Sequence, residues 1–488
     1  MVNGIDLLGI FRSFGHRAAL MGDGPELDYE DFSEEVQRLS AALTGAGIKR
    51  GERVGVLAEN SIDYGVLFPA LWYCGAVAVP LSIRLPAEQV RQLLRHSACA
   101  KWIVSRSFPQ PAGFYPSEPL CLEDLVAAGS PMPSASIPQA LSPYQAATII
   151  FTSGSGGRPK GVLHNLANHY FSALGANHNI PFGEHDCWLL SLPLYHVGGL
   201  AVLLRAWLGG GAVAVPPPGM ELEAALDRFP VTHVSLVATQ LYRLLQREEG
   251  RIALRRLKAI LLGGSAIPPG LIEQAHALKL PIYTSYGSTE LASQVAATLP
   301  GANLEQLQTS GKVLPYREIK IAADGEILLS GETLFQGYIE KGRLMPARDA
   351  DGWFASGDLG EIDGNGYLRV LGRRDNMFIS GGENIQPEEI EACLSRIAGV
   401  ARVLVVGVPD AEFGKRPAAF VALQTGVPLD PKRLRRALEI QLPRFKIPDY
   451  FFPWPEEEPQ TGIKPDRRRF AQLALQWINK KNEPGRLG

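Results

Sequence analysis

Thr148-Ile-Ile-Phe-Thr-Ser-Gly-Ser-Gly-Gly-Arg-Pro-Lys-Gly161 opens as an apolar run and breaks into a turn of hydroxyls and glycines that a lysine closes. β-Branched and aromatic residues in succession, Thr148 to Phe151, read as a buried strand. A loop leaving such a strand is where backbone amides and hydroxyls converge on an anion; glycines permit close approach and Lys160 adds charge. The ordinary P-loop puts Ser or Thr after its lysine, whereas Lys160 stands between Pro159 and Gly161, so this is a different phosphate loop. By itself a Gly/Ser-rich turn is more often a plain loop, and no function rests on it alone.

Outward from it, short strand-like runs at Val54 to Ala58, Val234 to Val237 and Ala259 to Leu262 alternate with segments of helical period such as Glu34 to Thr44. That alternation predicts α/β sheets covered by helices. Phe108 to Pro143, rich in Pro, Ser and Ala, reads as a surface connection between subdomains. From Gly325 the texture changes to short strands and tight turns, with Asp363-Gly-Asn-Gly366 as a hairpin turn, which suggests a small β-barrel-like part. After Arg373 a compact α+β unit begins. Pro387 suits the first turn of a helix with Ile390, Leu394 and Ile397 on one face; strands follow at 400–408 and 416–423, then helices at Pro431 to Gln441 and Arg467 to Lys480. The expected division is a large α/β domain over 1–373 and a small α+β domain over 374–488.

The chain has 488 residues, 46% hydrophobic and 20% charged, with a formal charge of -2. Its length predicts more than one domain, and its near-neutrality argues against nucleic-acid binding by bulk charge. Five dispersed cysteines, Cys74, Cys99, Cys121, Cys187 and Cys393, form no CxxC pair and have no His partners at zinc spacing, so packing thiols are expected. The first residues lack a basic start followed by a long apolar run, as a signal peptide would need. The longest apolar region, Val197 to Gly219, is interrupted by Arg205 and Gly209 to Gly211, so no membrane span is expected. A cytoplasmic protein is the natural reading, and homo-oligomerisation is left open.

Further segments carry chemistry. Thr284-Ser-Tyr-Gly-Ser-Thr-Glu290 offers an aromatic plane for a base, hydroxyls for a phosphate and a carboxylate for Mg²⁺. Ser356-Gly-Asp358 offers a carboxylate able to take two ribose hydroxyls. Taken in order, FTSGSGGRPKGV, PLYHVGG, LLGGS, YGSTE, GEILLSG with QGY, SGDLG, LGRRDN, SGGENIQPEEIE and TGIKPDR resemble the adenylate-forming superfamily of acyl-CoA ligases, peptide-synthetase adenylation domains and firefly luciferase. The resemblance covers nearly the whole chain.

That resemblance implies ATP, Mg²⁺ and coenzyme A as partners, and a mobile C-terminal domain. Thr152, Ser153, Gly154, Ser155, Gly156, Gly157 and Lys160 would hold the β- and γ-phosphates. Gly264, Ser265 and Ala266 with Tyr286 would enclose the adenine, in a segment that also contributes Ser285, Gly287 and Ser288. Thr289 would touch the α-phosphate, Glu290 would bind Mg²⁺, and Asp358 and Arg373 would fix the ribose. His196, Gly198, Gly199 and Gly287 would line the acyl pocket. Lys464 would bridge the substrate carboxylate and the α-phosphate. Rotation about a hinge at Asp375 would then exchange it for a coenzyme A loop of Ser380, Gly381, Gly382 and Glu383.

Two departures from the family pattern stand out: Gly156 where most members have Thr, and Thr461-Gly-Ile-Lys464, one residue shorter than usual. The short ending, with SLPLYHVGGL, VSLVATQLYRLL, GGENIQPEEIE, DAEFGKRP and LPRFKIP, resembles the o-succinylbenzoate:CoA ligase branch of menaquinone biosynthesis. The alternatives are a ligase for another aryl or medium-chain acid and an inactive adenylate-binding scaffold. A peptide-synthetase role is disfavoured because the PLYHVGG region lacks the Asp that pairs an amino group and no carrier domain is expected. For the second carboxylate of such an acid, Arg84 and Arg205 are candidates by charge.

Overall fold

The computed structural model describes residues 3–23, 26–108, 118–128, 138–152, 159–381, 383–410, 412–455 and 465–482. Two mostly parallel sheets form the large domain. One has eight strands, with Lys101–Val104, Arg53–Leu57, Val77–Pro80 and Ala146–Thr152 at its centre; the other has nine, including Cys187–Leu189, His233–Leu236, Ala259–Leu262 and Ile282–Ser288. Helices Tyr29–Gly45, Ile62–Tyr73, Leu166–Asn179 and Val197–Gly209 share one apolar cluster with side chains of both sheets, in which Phe11, Tyr29, Phe32, Trp72 and Trp207 are fully buried. Burial of such aromatic side chains supplies much of the driving force that holds the two layers together.

Local chemistry sets the element ends. Asp28 caps the helix Tyr29–Gly45 by accepting from the Asp31 amide, and Asn165 with Asn168 forms a reciprocal cap on Leu166–Asn179. The strand Ala259–Leu262 matches its sequence prediction. The segment Phe108 to Pro143 differs from expectation: Leu120–Cys121 pairs with Ile103 and Val104 as the edge strand of the eight-stranded sheet, and Leu122–Ala128 is a helix with Leu122 and Leu125 buried. It therefore connects strands within one sheet, because two leucines three positions apart, on one helix face, suffice to dock a short helix.

Beyond residue 316, Arg317–Ile321, Glu326–Gly331, Phe354–Ile362 and Leu368–Arg373 form an antiparallel sheet. Its last turn is the expected one: Asp363 Oδ1 accepts from the amides of Asn365 and Tyr367, and Gly366 takes φ 82°. In the small domain, helix Pro387–Ser395 packs on the long hairpin Val400–Asp410 and Gly414–Leu423, with Tyr450–Pro453 added in parallel and helices Pro431–Glu439 and Arg467–Asn482 alongside. The fold is thus a large α/β domain with a small antiparallel sheet and an α+β C-terminal domain. All five cysteines are free thiols, and among the described residues no helix is long and apolar enough to cross a membrane.

Candidate nucleotide and acyl site

The parallel strands His233–Leu236, Ala259–Leu262 and Ile282–Ser288 end on one edge of the nine-stranded sheet, the edge where open α/β sheets gather ligands. Ser285 Oγ donates to the Leu262 carbonyl at 2.9 Å, which ties Ser285 to the end of the strand that leads into Gly264, Ser265 and Ala266. Tyr286 donates its phenol proton to Asp358 Oδ2 at 2.6 Å, and Arg373 Nη1 donates to Asp358 Oδ1 at 3.0 Å and to the Ser356 carbonyl at 3.1 Å. Asp358 and Arg373 are direct cross-strand partners, so sheet register makes this pair. Burial, then the Asp358 charge, pushes the Tyr286 phenol well up, and it remains the donor. Burial pulls the Arg373 guanidinium down, but Asp358 outweighs this and its pKa is raised.

A second tyrosine serves the other carboxylate. Tyr338 donates to Glu290 Oε1 at 2.9 Å, and Lys160 Nζ lies 4.8 Å from the centre of the same ring. Strand Gly337–Glu340 runs antiparallel to Lys160–Asn165 with Tyr338 opposite Val162, so Lys160 is its diagonal neighbour on one face. The strands Ala146–Thr152 and Lys160–Asn165, on either side of the predicted phosphate loop, pair antiparallel with Thr152 facing Lys160. Ser153, Gly154, Ser155, Gly156 and Gly157 lie outside the described residues.

The turn after Glu290 is strained. Ala292 and Ser293 take φ of 52° and 126°, conformations that non-glycine residues rarely adopt. A Cβ at Gly287 would come within 2.4 Å of the Ser293 carbonyl oxygen, so only glycine fits there. Four groups hold the turn's carbonyls: His164 Nε2 binds that of Thr289 at 2.7 Å, the Phe335 amide that of Glu290 at 2.8 Å, Ser172 Oγ that of Ala292 at 2.8 Å, and Arg317 Nε that of Gln294 at 2.8 Å.

Because a carbonyl only accepts, His164 must carry its proton on Nε2, and Nδ1 must accept. Thr148, 3.2 Å away, therefore donates to Nδ1 and takes a hydrogen bond from His169 Nε2 at 2.8 Å. Both rings are buried; burial drives the His164 pKa to about 4 and, with the neighbouring His164, that of His169 well below its usual value.

On the predicted acyl side, half-buried His196 occupies the N-cap position of the helix Val197–Gly209. Asn60 pins the loop before it, donating to the Leu192 carbonyl and accepting from the Leu194 amide, each at 2.9 Å. Gly199 packs against that loop: a Cβ there would lie 2.2 Å from the Pro193 carbonyl oxygen. Further along the same helix Arg205 is buried. Its Nη2 donates to Gln294 Oε1 at 2.7 Å and its guanidinium lies 5.0 Å from the Trp188 ring centre, while Arg205 Nε and Gln294 Nε2 are buried donors with no acceptor. Among the described residues Arg205 forms no ion pair, and burial pushes its guanidinium down to about 10. Gln294 is the strand partner of Gly287, which brings this pair to the predicted acyl wall. Arg84, the other candidate, is exposed.

The family model described as "AMP-binding enzyme" matches residues 11–339, and "AMP-binding enzyme C-terminal domain" matches residues 389–463. The chain belongs to the AMP-binding enzyme family. A curated relative, "2-succinylbenzoate--CoA ligase" of Listeria monocytogenes, is 34% identical over 440 residues, 88% of this chain and 91% of the relative. Among solved structures, o-succinylbenzoate CoA synthetase from Bacillus subtilis in complex with the acyl-adenylate intermediate OSB-AMP is 28% identical with TM-score 0.86, covering 96% of this chain and 98% of that one. The same synthetase in complex with ATP and magnesium ion is 29% identical with TM-score 0.81, covering 92% and 95%.

In this AMP-binding enzyme the segment around Asp375 is bonded on both sides. Arg374 pairs with Asp324 and, at 2.5 Å, with Glu326 of the large domain. Asn376 donates to Glu388 at 2.7 Å, and Gln386 donates to the Arg373 carbonyl at 3.1 Å. Arg467, three residues after Lys464, reaches Glu391 at 2.6 Å and Glu388 at 3.2 Å. Lys464 and Gly382 lie outside the described residues. Ser380 and Glu383 face each other in a hairpin; Ser380 is buried with its hydroxyl 3.4 Å from Arg416, whereas Gly381 and Glu383 are exposed.

Tyr338, Gln294, Asn60 and the His164–Thr148–His169 chain were not singled out from sequence. Tyr338 stands in a quoted motif, QGY, and His164 follows the phosphate loop closely; Asn60 and Gln294 carry no sequence signal.

Proposed function

We propose that this chain is an ATP-dependent, AMP-forming ligase that joins 2-succinylbenzoate to coenzyme A. Membership of the AMP-binding family supports the adenylating chemistry, and the names of its relatives support the acid and the thiol. The observation that carries the choice of acid is the Arg205–Gln294 pair. A buried guanidinium with no carboxylate is costly, and two orphaned donors in one bonded pair add to that cost. A dicarboxylic acid that presents one carboxylate to ATP and a second to Arg205 would supply the missing anion.

In this reading the succinyl carboxylate attacks the α-phosphorus and pyrophosphate leaves; the coenzyme A thiol then attacks the acyl carbon and AMP leaves. Tyr286 and Gly264 to Ala266 hold the adenine. Asp358, its orientation set by Arg373 and Tyr286, accepts from the ribose hydroxyls. Lys160 and the hairpin loop take the β- and γ-phosphates, Thr289 the α-phosphate, and Lys464 the oxygens drawn together in adenylation. Glu290 fits a Mg²⁺ carried by ATP, since Tyr338 occupies Oε1 and such an ion needs one or two carboxylates beside phosphate oxygens and water. That ion would offset charge on the leaving pyrophosphate. Catalysis is then mainly positioning and charge neutralisation. Asp375 is the proposed hinge for the exchange of Lys464 with the Ser380 to Glu383 loop.

Pyrophosphate release over a panel of acids, with detection of the thioester, tests the assignment. Arg205→Met should lower kcat/KM for 2-succinylbenzoate about a hundredfold and leave a monocarboxylic analogue unaffected. No preference of the parent enzyme for the dicarboxylate would refute the acid; equal loss on both substrates would refute the role of Arg205.

A further inference from the structure

We propose that Tyr338 is a positioning residue that arranges the metal-facing carboxylate and the phosphate-loop lysine together, before nucleotide arrives. One side chain touches both: its hydroxyl is on Glu290 Oε1 and its ring lies beneath Lys160 Nζ. This rests on the reading of Glu290 as the carboxylate that meets the Mg²⁺ of ATP.

The ring is held in turn. Phe335 meets it edge-on with centroids 4.9 Å apart, Phe354 at 6.4 Å, and its strand is fixed by pairing with Lys160–Asn165. Glu290 is consequently gripped twice from one segment, its carbonyl by the Phe335 amide and its carboxylate by the Tyr338 hydroxyl. Asn168 fixes that segment, donating to the Glu332 and Leu334 carbonyls at 2.8 and 2.9 Å. Glu290 Oε2 takes no hydrogen bond among the described residues, so the tyrosine orients the carboxylate and leaves one oxygen for a cation. A lysine above an aromatic face is attracted to it without surrendering its three donors to a competing anion. Lys160 is exposed, with no ion pair among the described residues, and it remains available to phosphate.

The hydroxyl and the ring make separable contributions. Tyr338→Phe removes only the hydrogen bond to Glu290, whereas Tyr338→Leu also removes the support for Lys160. The readout is Mn²⁺ binding, followed by electron paramagnetic resonance, to the full-length protein with α,β-methylene-ATP, alongside the KM for Mg²⁺ and for ATP. In Tyr338→Phe, Mn²⁺ affinity should fall about tenfold and the KM for Mg²⁺ rise to match, the loss of a charge-assisted hydrogen bond, with the KM for the acid unchanged. Tyr338→Leu should raise the KM for ATP beyond the Tyr338→Phe value. Unchanged Mn²⁺ affinity in Tyr338→Phe with a loss in Glu290→Gln overturns the role of Tyr338 alone; unchanged affinity in both overturns the reading of Glu290 as well. Equal KM values for ATP in the two Tyr338 variants overturn the support of Lys160.

Discussion

Asp358 stands directly across the strand pair from Arg373, 3.0 Å from its guanidinium, and Tyr286 closes the carboxylate's other oxygen at 2.6 Å. Both neighbours donate, so both oxygens must accept. Asp358→Asn puts an amide NH₂ against one of them. ATP affinity measured by calorimetry should fall at least about tenfold, and the large domain should lose about 1–3 kcal/mol in stability from the unsatisfied donor. Wild-type affinity in this variant would remove Asp358 from the nucleotide site.

Lys464 is assigned to adenylation alone. Lys464→Ala should slow acid-dependent pyrophosphate release about a hundredfold or more, as loss of a charge-stabilising contact does. Thioester formation from supplied acyl-adenylate should proceed as in the parent enzyme. Equal loss in both half-reactions would show that the lysine is misassigned.

The buried histidines set a pH dependence. With the folded pKa of His164 at about 4 and that of His169 also depressed by burial, the unfolded chain takes up protons near the ordinary value of 6.5 that the folded chain refuses. Stability is therefore full above about pH 6.5 and declines as pH falls toward about 4. Urea midpoints between pH 7 and 5 should drop in the parent protein, and the slope should be shallower in His164→Gln, whose amide can still donate to Thr289. Identical slopes would mean that these rings do not control the acid limb.

Legibility from sequence followed the range of the interactions. Ala259 to Leu262, the turn Asp363 to Gly366 and the proline-led helix at Pro387 declare themselves within a few residues, since apolar run, Asx turn and fixed φ are local properties. The helix Leu122–Ala128 escaped because it is short and holds its place through two leucines in a tertiary core. Asp358 and Glu290 were legible as motif residues, but the groups that orient them were less so. Tyr338 in a strand reads as packing, and Gln294 gains meaning only when antiparallel register sets it opposite Gly287. The hydroxyl chain from His169 through Thr148 to His164 depends on a hairpin and a helix meeting, which no local pattern encodes.

The turn from Thr289 to Gln294 is held by His164 and Ser172 from 125 and 120 residues upstream, and by Arg317 and Phe335 from downstream. Unfavourable backbone angles at Ala292 and Ser293 mean that it does not form from local preference. During synthesis or refolding, Glu290 thus reaches its working position only after segments on both sides have docked, and loop-closure entropy makes such distant contacts slow to form. Nucleotide competence is therefore expected only after these distant segments have docked on one another.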